Sequence, residues 1–259
     1  MSIPFSEHLH DLAQPYFFKT TERKENSLVI LTHGFGASCT ETRPLATFLQ
    51  TKGFDVYGVL LNGHGSTPSS LDNVSWKEWV RNIEEIYNAH KSSYKNIFLG
   101  GVSLGGALSL YVSTYTAITG VFTINGFYKL KLPFFKRLLL PFLALFKSHL
   151  PRSEVRRQWY LDNNLYAYPD DAVFGIYQIT RLQKALHKSI LKISSPALII
   201  QSQNDKTIDP QNGQWIYSAL KCKKELLLIP EGDHIFTVDP NHMLAFEPIA
   251  KFLVDLTEQ

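Results

Sequence analysis

Short, uniformly apolar runs alternate along the chain with helix-length amphipathic stretches. Residues 28–31 (LVIL) read as a strand followed by a glycine-rich loop. Residues 41–52 read as a helix stopped by Gly53, and 54–61 as a second strand. The stretch 74–94 carries Trp76, Trp79, Ile83, Ile86 and Tyr87 at helical spacing. A strand at 96–99, a helix at 104–115 and a strand at 121–125 follow. After an irregular middle come a strand at 196–201, a helix near 211–220, a strand at 225–229 and a closing helix at 243–256. Strands that are apolar throughout, each followed by a helix, predict a parallel sheet covered on both faces.

Residues 127–190 break this alternation. They hold Pro133, Pro141, Pro151 and Pro169, several aromatic residues and no clear strand. The pattern predicts a core built from 1–126 and 191–259 with 127–190 inserted between two of its strands. Charge sharpens the division, because residues 127–160 contain eight Lys or Arg and one acid while the whole chain carries only +3. Two readings of that cluster stand: a solvated basic rim, or a surface for weak contact with anionic lipid headgroups or anionic substrates. The overall charge is too mild to point to nucleic acid.

Hydrophobic content of 44% and charged content of 19% fit a folded chain with a sizeable core. The two cysteines, Cys39 and Cys222, lie in no close-spaced Cys/His cluster and are expected as free thiols of a reducing compartment. The first residues show no basic region followed by an apolar stretch, and LLLPFLALF at 138–146 is far short of the roughly 20 residues that span a bilayer. A cytoplasmic protein is expected.

The candidate chemistry sits at FLGGVSLGGALSL. Gly101-Val102-Ser103-Leu104-Gly105 fits Gly-x-Ser-x-Gly between a predicted strand and a predicted helix, the context that gives the motif meaning. A strand turning at once into a helix needs neighbouring backbone to approach closely, which glycines allow. The serine then stands at the helix N-terminus, where free N–H groups favour developing negative charge. A glycine-rich turn that merely packs a helix against a sheet is the plainer alternative. A serine nucleophile needs a base and a group to orient it. Among nine histidines, His234 follows a strand directly, whereas His33 and His64 sit in turns where a structural role fits better. Asp205 follows the strand at 196–201, with Asp209 as runner-up, and Asp233 adjoins the base too closely in sequence. The order Ser103, Asp205, His234 is that of one hydrolase architecture and not of trypsin-like or subtilisin-like enzymes. The oxyanion donors expected are the backbone N–H groups of Leu104 and Phe35.

These residues resemble the α/β-hydrolase superfamily, and within it the carboxylesterase and monoacylglycerol lipase-like members. The likeness rests on HGFG at 33–36, NGHG at 62–65, GVSLGG at 101–106, Asp205 and GDH at 232–234. It implies an eight-stranded, mostly parallel sheet with helices on both faces, a helical cap after the sixth strand, and one or two short strands before Leu28, around 16–20. Asn62, Leu104 and Asp233 depart from the residues such relatives often carry there. The expected activity is a serine carboxylic-ester hydrolase acting through an acyl-enzyme, on short- to medium-chain acyl esters or monoacylglycerol-like lipids, with no cofactor and no metal. Phe134, Phe135, Leu139 and Phe142 are expected to line an acyl pocket, or else only to bury the cap. Rivals are a thioesterase, an acyltransferase or a C–C bond hydrolase with the same three residues, and a non-catalytic binding protein on a hydrolase fold. There is no His-Glu-x-x-His, no P-loop and no Gly-x-Gly-x-x-Gly dinucleotide loop.

Overall fold

The apolar runs form strands whose side chains alternate between two separate cores. The computed structural model describes residues 7–21, 26–131 and 133–258. Its elements up to the middle of the chain are α1 (Glu7–Ala13), β1 (Tyr16–Phe18), β2 (Ser27–Thr32), α2 (Arg43–Thr51), β3 (Asp55–Val59), α3 (Trp76–His90), β4 (Asn96–Val102), α4 (Leu104–Val112) and β5 (Gly120–Ile124). Then come α5 (Phe134–Leu145), β6 (His149–Pro151), α6 (Glu154–Asp162), β7 (Asp170–Ala172) and α7 (Val173–Ser189), followed by β8 (Ala197–Ser202), α8 (Gln211–Ala219), β9 (Lys224–Ile229) and α9 (Met243–Thr257).

The main sheet runs β1-β3-β2-β4-β5-β8-β9, parallel except for β1 against β3. It has seven strands among the described residues, not the eight expected. Before Ser27 the described residues hold one strand, Tyr16–Phe18, within the stretch 16–20 where one or two were expected, and residues 7–13 form α1, which buries Leu9 and Ala13. Leu28, Ile30, Ile97, Leu99 and Ile199 pack on one face with α3, α4, α7 and α8. Val29, Leu31, Phe98, Phe122 and Ile200 pack on the other with α2 and α9. This two-sided burial is why the strands read as continuous apolar runs. Local signals agree: α3 opens on a Ser75/Glu78 capping box, and the chain leaves α2 through Gly53 at φ +91°.

Between β5 and β8 the chain forms α5 to α7. β6 and β7 pair antiparallel, a small sheet that three-residue strands of mixed composition did not announce in the sequence. α7 sinks Ile179, Leu182 and Leu186 into the core. α5 packs on α7, yet Phe135, Leu138, Phe142, Leu145 and Phe146 remain more than half exposed. The stretch before β7 is bonded to the loop after β2: Tyr168 N–H donates to Gly36 C=O at 2.7 Å, and Ser38 Oγ donates to Tyr166 C=O at 2.9 Å. Cys39 and Cys222 are both free. Among the described residues no helix is long and apolar enough to cross a membrane.

The tightest contact of the sheet lies between α4 and β2. A Cβ on Gly105 would stand 2.0 Å from the Thr32 carbonyl oxygen, and one on Gly101 2.6 Å from the same atom. Gly105→Ala should therefore destabilise the protein by about 3 kcal/mol, the upper part of the range for overpacking, because the obstacle is backbone. Urea unfolding measures this; an unchanged midpoint would mean that α4 does not sit so close.

Candidate active site

The parallel strands run in one direction, so the loops after β2, β4, β5, β8 and β9 gather at one edge of the sheet. Ser103 is the turn between β4 and α4. Its backbone has φ +53° and ψ −111°, a conformation strained for a residue with a side chain. The strain is held on both sides: Ser103 N–H donates to Ile124 C=O on β5 at 3.0 Å, and Ala107 N–H starts α4 on the Ser103 carbonyl at 3.2 Å.

Asp205 follows β8 and His234 follows β9. His234 Nδ1 lies 2.6 Å from Asp205 Oδ2, and both side chains are buried. The other carboxylate oxygen of Asp205 accepts the N–H groups of Thr207 at 2.8 Å and Ile208 at 2.9 Å. With the acid so held as an acceptor, the His234 proton sits on Nδ1 and Nε2 keeps a free lone pair. Asp233 is a loop brace, its Oδ1 accepting the His234 N–H at 2.7 Å. Asp209 pairs with Lys131 instead of a histidine.

Ser103 and His234 line one cavity of about 310 Å³, together with Gly34, Phe35 and Leu104. No hydrogen bond joins Ser103 Oγ to His234. The amide N–H groups of Phe35 and Leu104 also have no partner among the described residues. A second cavity of about 510 Å³ reaches His234 as well and shares Arg156 and Tyr160 with the first.

The apolar wall of the first cavity comes from Phe127, Leu130, Ile176, Ile179 and Ile208. Phe135, Leu139 and Phe142, expected there, do not line it; they stand exposed on α5, because only part of that helix finds a partner on α7. The Phe134 side chain lies outside the described residues.

Three residues escaped the sequence reading. Asn125, fully buried at φ +49°, donates to His234 C=O at 2.8 Å and accepts Ser202 N–H at 2.7 Å, so one amide ties the ends of β5 and β8 to the histidine loop. An Asn-Gly pair at a strand end was its only signal. Glu41, buried among apolar groups, accepts the Gly34 N–H on Oε2 at 2.8 Å, while its Oε1 has no partner among the described residues. Burial pushes its carboxyl above the usual carboxylate range, opposed by the Gly34 N–H and by His234, Arg152 and Arg156. Arg152, just after β6, reaches the Phe35 carbonyl with Nη2 at 3.2 Å.

His33 is structural, as its turn suggested. Leu61 N–H donates to its Nε2 at 3.1 Å, which puts the ring proton on Nδ1, 2.8 Å from the Gly34 carbonyl oxygen it bonds. His64 meets the His33 ring edge-on and stacks on Tyr168, and it does not line the cavity.

A family model described as serine aminopeptidase, S33, matches residues 23–241. The chain belongs to the serine aminopeptidase S33 family. It is a serine hydrolase of the lipase and esterase kind on an α/β-hydrolase fold. A thermostable monoacylglycerol lipase of Bacillus sp. (strain H-257) is 27% identical over 86% of this chain and 89% of its own. A carboxylesterase of Bacillus subtilis (strain 168) is 22% identical over 94% of this chain and 97% of its own. Among solved structures, one of the metagenome-derived lipolytic enzymes LipS and LipT superposes with a TM-score of 0.82 at 25% identity, covering 93% of this chain and 97% of that one. The monoacylglycerol lipase of Paleococcus ferrophilus superposes at 0.78, with 21% identity over 94% of this chain and 98% of its own, a likeness of fold.

Burial lowers the His33 pKa from its ordinary 6.5 to about 4. The unfolded chain therefore binds the extra proton first, so the stability carried by the neutral ring is full above pH 6.5 and is lost as pH falls toward 4. That loss should amount to about 3 kcal/mol. Denaturant unfolding across this pH window should show a shallower slope in His33→Asn than in the parent chain; equal slopes would contradict the buried neutral ring.

Proposed function

We propose that this S33 family member hydrolyses carboxylic esters with Ser103 as nucleophile, His234 as base and Asp205 as its orienting acid. The observation that carries the reading is the buried 2.6 Å contact of His234 with Asp205 beside the cavity that Ser103 shares with two unpartnered amides. His234 Nε2 takes the Ser103 proton as Oγ attacks the ester carbonyl. The N–H groups of Phe35 and Leu104 donate hydrogen bonds to the oxygen on which negative charge develops. His234 then gives its proton to the departing alcohol, and water releases the acyl group by the same route.

The family description speaks of an aminopeptidase; both sequence relatives named above are ester hydrolases, and the ester reading follows them. A cavity of about 310 Å³ with an apolar wall suits short- to medium-chain acyl groups, those of simple esters or of monoacylglycerol-like lipids. Residues 127–190 act as the cap over it.

A fluorophosphonate should label Ser103 and leave Ser103→Ala unlabelled, with peptide mapping as the readout. Ser103→Ala and Asp205→Asn should each lower kcat on a p-nitrophenyl ester by about 10⁴-fold or more. Folded protein without label would favour the binding-protein alternative.

The reading extends to the partner. The exposed apolar residues of α5 lie within the stretch that holds eight basic residues and one acid, a combination suited to an anionic lipid surface. Phosphatidylglycerol vesicles should sediment the protein, phosphatidylcholine vesicles should do so far less, and Leu138→Ser with Phe142→Ser should release it. Failure to bind phosphatidylglycerol would remove this partner.

A further inference from the structure

The turn that carries the Phe35 amide is held at several of its backbone polar atoms. His33 Nδ1 donates to the Gly34 carbonyl at 2.8 Å, and Gly34 N–H donates to Glu41 at 2.8 Å. The Phe35 carbonyl accepts from Arg152 Nη2 at 3.2 Å. The Phe35 N–H has no partner among the described residues. The Phe35 N–H shares its peptide plane with the Gly34 carbonyl that His33 holds, and Arg152 holds the next plane at the Phe35 carbonyl, so the two bonds together restrict rotation about the Phe35 Cα that would tip the N–H away from the cavity.

Arg152 does not belong to the sheet that supports the other groups. It stands 117 residues from Phe35, in the segment inserted between β5 and β8, where its own N–H donates to Pro169 C=O at 2.9 Å. Its side chain is 1% exposed. Nε and Nη2 both reach Asp171 Oδ1, at 2.8 and 2.7 Å, and the guanidinium lies 5.4 Å from the centre of the Tyr160 ring. The chain makes room for it: Gly36 takes φ +64°, and a Cβ there would stand 2.4 Å from Nη2. Yet Nη1 has no partner among the described residues. A buried guanidinium with an unmet donor is a poor stabilising device, since an apolar side chain of similar size would fill the space without the desolvation cost. What Arg152 adds that no apolar residue supplies is the bond to the Phe35 carbonyl.

We infer that Arg152 is a positioning residue that completes the oxyanion hole from the inserted segment, with Asp171 holding its fork in place. The inference rests on the reading of Phe35 as an oxyanion donor. The insertion then has a part in the chemistry besides covering the cavity, since the amide that meets the developing charge is aimed by a residue borne on it.

Arg152→Met removes the fork and the charge, and Arg152→Lys keeps the charge without the fork. Each should lower kcat on a p-nitrophenyl ester, by about 10²-fold and 10-fold respectively, comparable to losing or loosening one oxyanion donor. KM should stay within about twofold. The affinity for an alkyl boronic acid, which forms a tetrahedral adduct on serine, should fall by the same factor as kcat, a readout that a purely structural role would not move. Where Arg152→Met does not fold, Arg152→Lys and Asp171→Asn carry the test. Unchanged kcat and boronate affinity in a folded variant would overturn the inference, as would a loss confined to KM. If the parent chain neither takes the fluorophosphonate at Ser103 nor binds the boronate, the ester-hydrolase reading itself fails, an outcome distinct from both.

Discussion

The arrangement depends on one close approach: α4 lies against β2 with no side chain between them, Gly105 facing the Thr32 carbonyl. That contact sets the distance from the serine turn to the turn after β2. Because β2 and β4 are hydrogen-bonded neighbours, the two turns leave the sheet side by side, and the amides of Phe35 and Leu104 come to one cavity. Methyl groups at 101 or 105 would part them. The strain at Ser103 has the same origin, since a strand that must become a helix within one residue has no relaxed backbone available.

Electrostatics is arranged around this frame with little waste. Asp205 spends its two oxygens on His234 and on two backbone amides. Asn125, itself in the left-handed region, joins three loops through one side chain. Such buried amides are worth having only when nearly every group is met, and Asn125 meets its own: Nδ2 donates to the Asp233 and His234 carbonyls, and Oδ1 accepts from Ser202 N–H and Gln201 Nε2. Two of the buried atoms left unmet among the described residues, Glu41 Oε1 and Arg152 Nη1, belong to residues that line the cavity.

How much of this could be read from residues alone follows the distance over which each feature is determined. Ser103, Asp205 and His234 each follow an apolar run, so local pattern singles them out as candidates, and the alternation of strands and helices located the sheet. Glu41 was hidden because it reads as the first turn of an amphipathic stretch, while its carboxyl turns back to Gly34. Arg152 was hidden because nothing near it in sequence resembles its partner. The count of eight strands came from the resemblance and from no apolar run of the chain, and the described residues form seven. The acyl-pocket residues failed for a different reason: Phe135, Leu139 and Phe142 are apolar, but apolarity says that a side chain prefers to be covered, not which surface covers it.

The strand order also has a thermal consequence. Ser103 and its amides sit on β2 and β4 at the middle of the sheet, whereas Asp205 and His234 hang from β8 and β9, and β9 is the outermost strand and half-exposed. Fraying that starts at this margin would carry the histidine away while the central strands keep their circular dichroism. Heat would then silence the enzyme some degrees before it melts the molecule.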